Sequence, residues 1–192
     1  MTRAHALLPV LPADLPSLEA SLEHLVAAAD ESTAAGVPTT LVLATSADPA
    51  AVDAVLASWV PLLNLLDGVT LTVEHHPGAR SREELRSRSA QGLGAALADH
   101  PADAAATLVL TTTCDVLVAP DWVVGHVRHH REGARASTGP VRGGGDVHEL
   151  TANLAVRADL LPAVLADRRR VRLVHALTPL VATPRVTLPA SP

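Results

Sequence analysis

The stretch LTTTCDVLVAPDW, Leu110 to Trp122, ends an apolar run in a single carboxylate, Asp115, preceded by threonines and a lone cysteine. A carboxylate at the end of a buried strand can hold a divalent ion, and hard oxygen ligands suit Mg²⁺ or Mn²⁺. Such an ion neutralises the charge that develops on a diphosphate leaving group. The competing reading gives Asp115 the task of turning the chain toward the next helix, a common use of Asp. Cys114 has no neighbouring pattern that would lower its thiol pKa, so it reads as a small, buried, inert residue. HVRHH places His126, His129 and His130 at i, i+3 and i+4, from which one helix face could bind zinc. No partner ligands accompany them, and a solvated helix surface is the expectation, as it is for His75 and His76. RGGGD (Arg142–Asp146) could wrap a phosphate through backbone amides or simply form a mobile loop. RRRVR (Arg168–Arg172) could contact an anion or end a solvated helix. GLGAAL (Gly92–Leu97) imitates a dinucleotide fingerprint but falls inside a predicted helix, which discards it.

The elements that must position these residues alternate. HALLPVLP (His5–Pro12) reads as a first strand, and Asp14 can cap a helix in which Leu15, Leu18, Leu22, Leu25 and Val26 recur at helical spacing. Thr39–Thr45 is a second strand. Asp48-Pro49 then starts a helix with Val52, Val55, Leu56 and Trp59 on one face, which Pro61 kinks or ends. Val69–His75 alternates like a strand. Ser81 with Glu84 forms a capping box for a helix to about His100. Ala106–Thr112 is the most continuous apolar strand, expected to be central and parallel to its neighbours, with Asp115 at its carboxyl end. Pro120 and Trp122 open the next helix, Trp122 packing inward, and Ala134–Val141 is a further strand. This alternation predicts an α/β fold, three-layer α/β/α and Rossmann-like, with a mostly parallel central sheet, forming one domain over residues 1–192. Ligands in such sheets sit beyond the carboxyl ends of the strands.

Composition narrows the function classes. The chain has 192 residues, 48% hydrophobic and 18% charged, which is globular composition. Its net charge of −5 and dispersed arginines argue against nucleic acid. Phe, Tyr, Lys and Ile are absent and all fifteen basic residues are arginine, a pattern of high-GC coding. Without lysine there is no P-loop lysine and no Schiff base. One cysteine excludes an internal disulfide and a cysteine metal cluster. No apolar run is long enough for a transmembrane segment, and the N-terminus is too proline-broken for a signal peptide, so a cytoplasmic protein is expected. Nothing in the composition decides whether it forms a homo-oligomer.

Two segments carry a resemblance. LTTTCDVLVAPDWVVGHVRHHREGARASTGPV and TANLAVRADLLPAV resemble the family-2 glycosyltransferases of the GT-A fold, in the family's order and separation. The matching residues are Asp115, Pro120, Asp121 and Trp122, then Gly139, then Ala152, Asn153, Leu154, Ala155, Val156, Arg157 and Asp159. The resemblance implies a nucleotide-sugar donor, Mg²⁺ or Mn²⁺ on a D-x-D motif, and transfer of the sugar to an acceptor hydroxyl. It implies donor and cofactor contacts from Thr113, Asp115, Asp48 and Arg88, with Asp115 as metal ligand. Thr113 replaces the first Asp of D-x-D, and Ala44 stands where the family's second strand ends in a base-reading Asp, Asp48 following a few residues on. Arg88 is one position out of the family's register. The acidic G-E-D segment that supplies the family's catalytic base is missing after Asp159, leaving Asp159, Glu149 and His148 as substitutes. These departures imply weak or absent transfer, with a non-catalytic GT-A descendant, binding a nucleotide or a protein partner, as the alternative. A nucleotidyltransferase would place a Gly-rich loop and a lysine after the first strand, and LLPVLPADLPSLEA has neither.

Overall fold

The computed structural model describes residues 1–139 and 153–161. The Gly-rich stretch at 142–146, His148, Glu149, Ala152 and the arginines at 168–172 lie outside them. Among the described residues, six strands form one sheet in the order β3-β2-β1-β4-β6-β5. They are β1 (Arg3–Val10), β2 (Thr39–Thr45), β3 (Val69–His75), β4 (Thr107–Thr111), β5 (Ala136–Thr138) and β6 (Leu154–Arg157). The first four are mutually parallel, and β6 runs antiparallel to both β4 and β5. The expectation that β4 is parallel to both neighbours therefore holds only on its β1 side. A chain returning from β5 reaches the sheet from the opposite end.

Side-chain alternation sorts the strands into two faces. Ala4, Ala6, Leu8 and Val10 of β1, with Leu41, Leu43, Leu108 and Leu110, pack against one helical layer. That layer consists of α1 (Leu15–Ala34), α2 (Pro49–Leu56) and α6 (Trp122–Arg131). The other face packs Leu7, Val42 and Ala44 against Leu85, and Val109, Leu154 and Val156 against Ala90 and Leu161. Leu85 and Ala90 belong to α4 (Arg82–Ala96). Leu8, Leu18, Leu22, Leu43, Leu108 and Leu110 are fully buried, each contributing roughly 1.5–3 kcal/mol by leaving water. Leu and Val thus supply a core that lacks Phe and Ile. No helix among the described residues is long and apolar enough to cross a membrane.

Prolines set several boundaries differently from the simplest reading. Pro12 opens a 3₁₀ turn (Pro12–Asp14) just after β1. Pro61 does not kink α2, which has already ended at Leu56; it sits in the first turn of a separate short α3 (Val60–Leu63). There its missing N–H leaves no helical bond unmade. The long helix expected to His100 stops at Ala96, and Pro101 starts α5 (Pro101–Ala106) immediately before β4. Gly36, at φ 76, turns the chain from α1 toward β2 in a conformation open mainly to glycine.

Candidate functional site

The strand order reverses between β1 and β4, the place where α/β sheets form their ligand crevice, at the strands' carboxyl ends. Two carboxylates reach it, Asp14 from the turn after β1 and Asp115 from the loop after β4. Asp14 makes no side-chain cap to α1, contrary to expectation. It accepts instead from the Leu11 backbone N–H at 2.9 Å and is almost fully buried. Arg82, the first residue of α4, joins the two acids. Its Nε and Nη2 donate to Asp14 at 3.1 and 2.5 Å, and Nη1 donates to Asp115 at 3.1 Å. The carboxylates hold the guanidinium more firmly protonated than usual, the Asp14 hydrogen bonds contributing most. Burial works to raise the Asp115 pKa, but hydrogen bonds from the Thr113 hydroxyl and Arg82 outweigh it and hold the group below the ordinary carboxylate range.

The loop that carries Asp115 is tied down from α1. Ser21 Oγ donates to the Cys114 carbonyl at 3.0 Å, and the His24 ring bonds the Val118 carbonyl at 3.1 Å. Cys114 is buried, and desolvation pushes its thiol up to about 12, which leaves it protonated and inert. Behind Asp115 lies Arg86, only 3% exposed, paired with Glu83 at 3.5 Å, with no hydrogen-bond partner on its Nε.

The other expected contacts fall elsewhere. Asp48 caps α2, accepting from the Ala51 N–H at 3.3 Å, and lies beyond β2, with β1 between it and β4. Arg88 pairs with Glu84 on the flank of α4, while Arg86 takes the inward position at the end of β4, within 3.5 Å of the Thr112 carbonyl. Thr113 is buried and serves Asp115 through its hydroxyl. Asp159 is bound to Arg157 in the turn after β6. The β4–β6 register sets Arg157 against Leu108 and Leu154 against Thr111, so Asp159 lies toward the amino end of β4, away from Asp115.

Asp14, Arg82 and Arg86 were not singled out in the sequence as site residues. The signal for Asp14 was the one that flagged Asp115, an acid directly after an apolar strand. Arg82 and Arg86, one helical turn apart at the start of the helix after β3, point to the same strand ends.

A second polar cluster lies buried under α6. The expectation of a solvated histidine surface fails for His126, which is 5% exposed. Asn153 Oδ1 accepts from Trp122 Nε1 at 2.7 Å and from His126 Nε2 at 2.8 Å. With Nε2 donating, His126 Nδ1 accepts from the Ser137 hydroxyl at 2.7 Å. His130 Nε2 lies 3.4 Å from the same hydroxyl. A Cβ on Gly139 would overlap the Asn153 amide, so that position requires glycine. Trp122, Gly139 and Asn153, three of the residues that carry the family-2 resemblance, thus meet in one hub that ties β6 and β5 to α6. Trp122 packs inward, as expected.

The Asp14 and Asp115 carboxylates and the Thr113 hydroxyl are hard oxygen donors, the right class for Mg²⁺ or Mn²⁺. Among the described residues no group of three His, Cys, Asp or Glu could close a cage by itself, so water and phosphate oxygens would have to complete the shell.

No protein-family model and no curated protein sequence matches the chain. Solved structures do. A 4-diphosphocytidyl-2C-methyl-D-erythritol synthase is similar over 94% of this chain and 85% of its own, with TM-score 0.58 and 16% identity. The mannosyltransferase PcManGT of Pyrobaculum calidifontis, solved with GDP-Man and Mn²⁺, is similar over 95% of this chain, with TM-score 0.60 and 17% identity. The match spans 54% of that larger protein. The synthase from Anaerococcus prevotii gives TM-score 0.51 at 13% identity over 86% of this chain and 74% of its own. The chain has a layered α/β fold of GT-A type, shared with these structures.

Proposed function

We propose that this chain is a GT-A domain related to family-2 glycosyltransferases, which binds the diphosphate of a nucleotide-sugar at the carboxyl ends of β1 and β4. The observation that carries the reading is the convergence of Asp14, Arg82 and Asp115 at the strand-order reversal, where α/β sheets hold their ligands. Asp115 and Asp14 would hold a Mg²⁺ or Mn²⁺ ion, which supplies charge neutralisation for a departing nucleoside diphosphate. Arg82 supplies the fixed positive charge of the site, and Thr113 orients Asp115.

Sugar transfer is weak or absent in this reading. An acceptor hydroxyl needs a base, typically worth about 10²–10⁴ in rate, and Asp159 is held by Arg157 away from Asp115. That same observation favours the second reading, a descendant that binds nucleotide without transferring sugar. Calorimetric titration of UDP, GDP or CDP with Mn²⁺ tests the donor site. Native protein should bind at least one of them, Asp115→Ala should lose it, and Thr113→Asp should tighten it. Binding that survives Asp115→Ala would remove Asp115 from the site. Robust turnover of a nucleotide-sugar by the native protein would overturn the depleted-site reading.

A further inference from the structure

Among the described residues, the sheet ends on one side in β3, a strand of seven residues, and on the other in β5, which runs only three. β3 pairs with β2 along its whole length without a bulge, and VTLTVEH contains no proline and a single carboxylate, Glu74. Short length, bulges, proline and charge are the usual guards of an exposed edge, and β3 has almost none of them. Three of the five large apolar side chains exposed among the described residues, Val60, Leu62 and Leu65, belong to α3 and the turn that leads from it into β3. Val60 and Leu63, with Leu71 and Val73 of β3, supply the apolar wall of a groove of about 460 Å³ that also holds Asp53 and Asn64. We infer that β3 pairs antiparallel with β3 of a second copy of this chain, about a two-fold axis at Thr72, so that the two sheets become one.

The backbone sets which registers are open. The Thr39 N–H donates to the Gly68 carbonyl at 2.9 Å, and the His76 N–H donates to the Thr45 carbonyl at 2.7 Å. Backbone groups alternate sides along a strand, so the even-numbered residues of β3 face β2, and Val69, Leu71, Val73 and His75 turn theirs outward. Of these, only the Val69 N–H has a bond within the chain, to the Leu66 carbonyl at 3.4 Å. A two-fold contact puts the same patch on both copies, so the strand must match itself. With the axis at Thr72, Leu71 opposes the partner's Val73, Val69 opposes the partner's His75, and all four outward residues enter the ladder. Thr70 then opposes the partner's Glu74, which keeps the two Glu74 carboxylates well apart. An axis at Val73 would set them diagonally across the joint, where like charges repel. An axis at Leu71 would leave the His75 backbone outside the ladder. Antiparallel pairing also keeps one sheet face common to both copies, so their α3 helices line the same side of the joint. β2 and β1 separate this edge from β4 and Asp115.

The test is sedimentation velocity of the full chain over a wide concentration range. Native protein should pass from monomer to dimer. Thr72→Arg sets two guanidinium groups face to face on the axis and should weaken the dimer about fivefold. Thr70→Arg sets a cation opposite the partner's Glu74 twice per dimer and should tighten it about fivefold, a gain that Glu74→Gln removes. Both threonines are exposed in the single chain, so neither change should disturb folding. A native protein that stays monomeric throughout, or a dimer indifferent to Thr72→Arg, would overturn the pairing. So would a dimer that Thr72→Arg tightens, because the axis at Val73 sets Thr72 opposite the partner's Glu74. Hydrogen exchange on the native protein decides the matter without a variant. The Leu71, Val73 and His75 amides should gain protection as the dimer forms. Full protection already present in the monomer would mean that the chain covers its own edge, and would reject the second copy.

Discussion

The crevice at Asp115 and the hub at Asn153 use similar polar residues to opposite ends. At the ends of β1 and β4, Asp115 is more than half exposed and Arg82 about a quarter, and their charges remain open to solvent. In the hub, Trp122, His126, Ser137 and Asn153 are nearly dry and satisfy one another. A buried network of that kind specifies one packing, because any unpaired member bears its full desolvation cost. The motif residues of the hub therefore mark how the chain is held together. The proposed donor site instead uses residues with spare bonding capacity near solvent.

The largest effect expected from breaking this contrast is at Trp122. Trp122→Ala removes a buried ring and a hydrogen bond and should cost roughly 3–5 kcal/mol, measured by urea unfolding. A near-neutral change would place the ring against solvent or ligand. Asn153→Leu should come next. It strands the Trp122 and His126 donors at about 1–3 kcal/mol each, while Mn²⁺ and nucleotide binding at the crevice stay intact in the folded fraction.

Acid should separate the two regions. Burial holds His126 below the usual imidazole range and His130 at about 4. The unfolded chain takes up these protons below about pH 6.5, the folded chain only near the depressed values. Stability is then full above about pH 6.5 and falls as pH drops below it, the part due to His130 ceasing to fall below about 4. Asp115 contributes with the other timing, since its depressed pKa gives stability that is lost only as pH falls below the ordinary carboxylate value. Urea midpoints across pH 7.5 to 4 should thus track the histidines, and His130→Gln should flatten part of the slope. A profile flat between pH 6.5 and 4.5 would mean that the histidines are not held neutral.

The smallest stability effect is expected at Asp115 itself. Asp115→Ala should change unfolding free energy by less than about 1 kcal/mol, as for other exposed ion pairs, while removing nucleotide binding with Mn²⁺. A large stability loss there would erase the distinction between the two regions.

Much of the fold was legible because local rules govern it. β2 and β3 run over the residues that their apolar patterns bounded, Thr39–Thr45 and Val69–His75, each closed by turn chemistry. β6 was not assigned, because a short apolar run such as LAVR carries no period that separates strand from helix. Its antiparallel insertion beside β4 depends on a return path that no local pattern records. Asp115 was visible as an acid after a strand, and Asp14 carried the same signal but was absorbed by a capping role.

By itself the sequence determined the alternating elements, an apolar core of Leu, Val and Ala, and an acid at the end of the best strand. Propensity, periodicity and proline geometry act over a few residues, and those lengths are readable. Only the tertiary structure decided the partners. Arg82 finds Asp14 across 68 positions and Asp115 across 33, and Trp122 finds Asn153 across 31. It also decided which polar groups lose their water. Burial made His126 a structural bond and left Asp115 open to solvent, since desolvation is a property of what packs around a residue rather than of the residue itself.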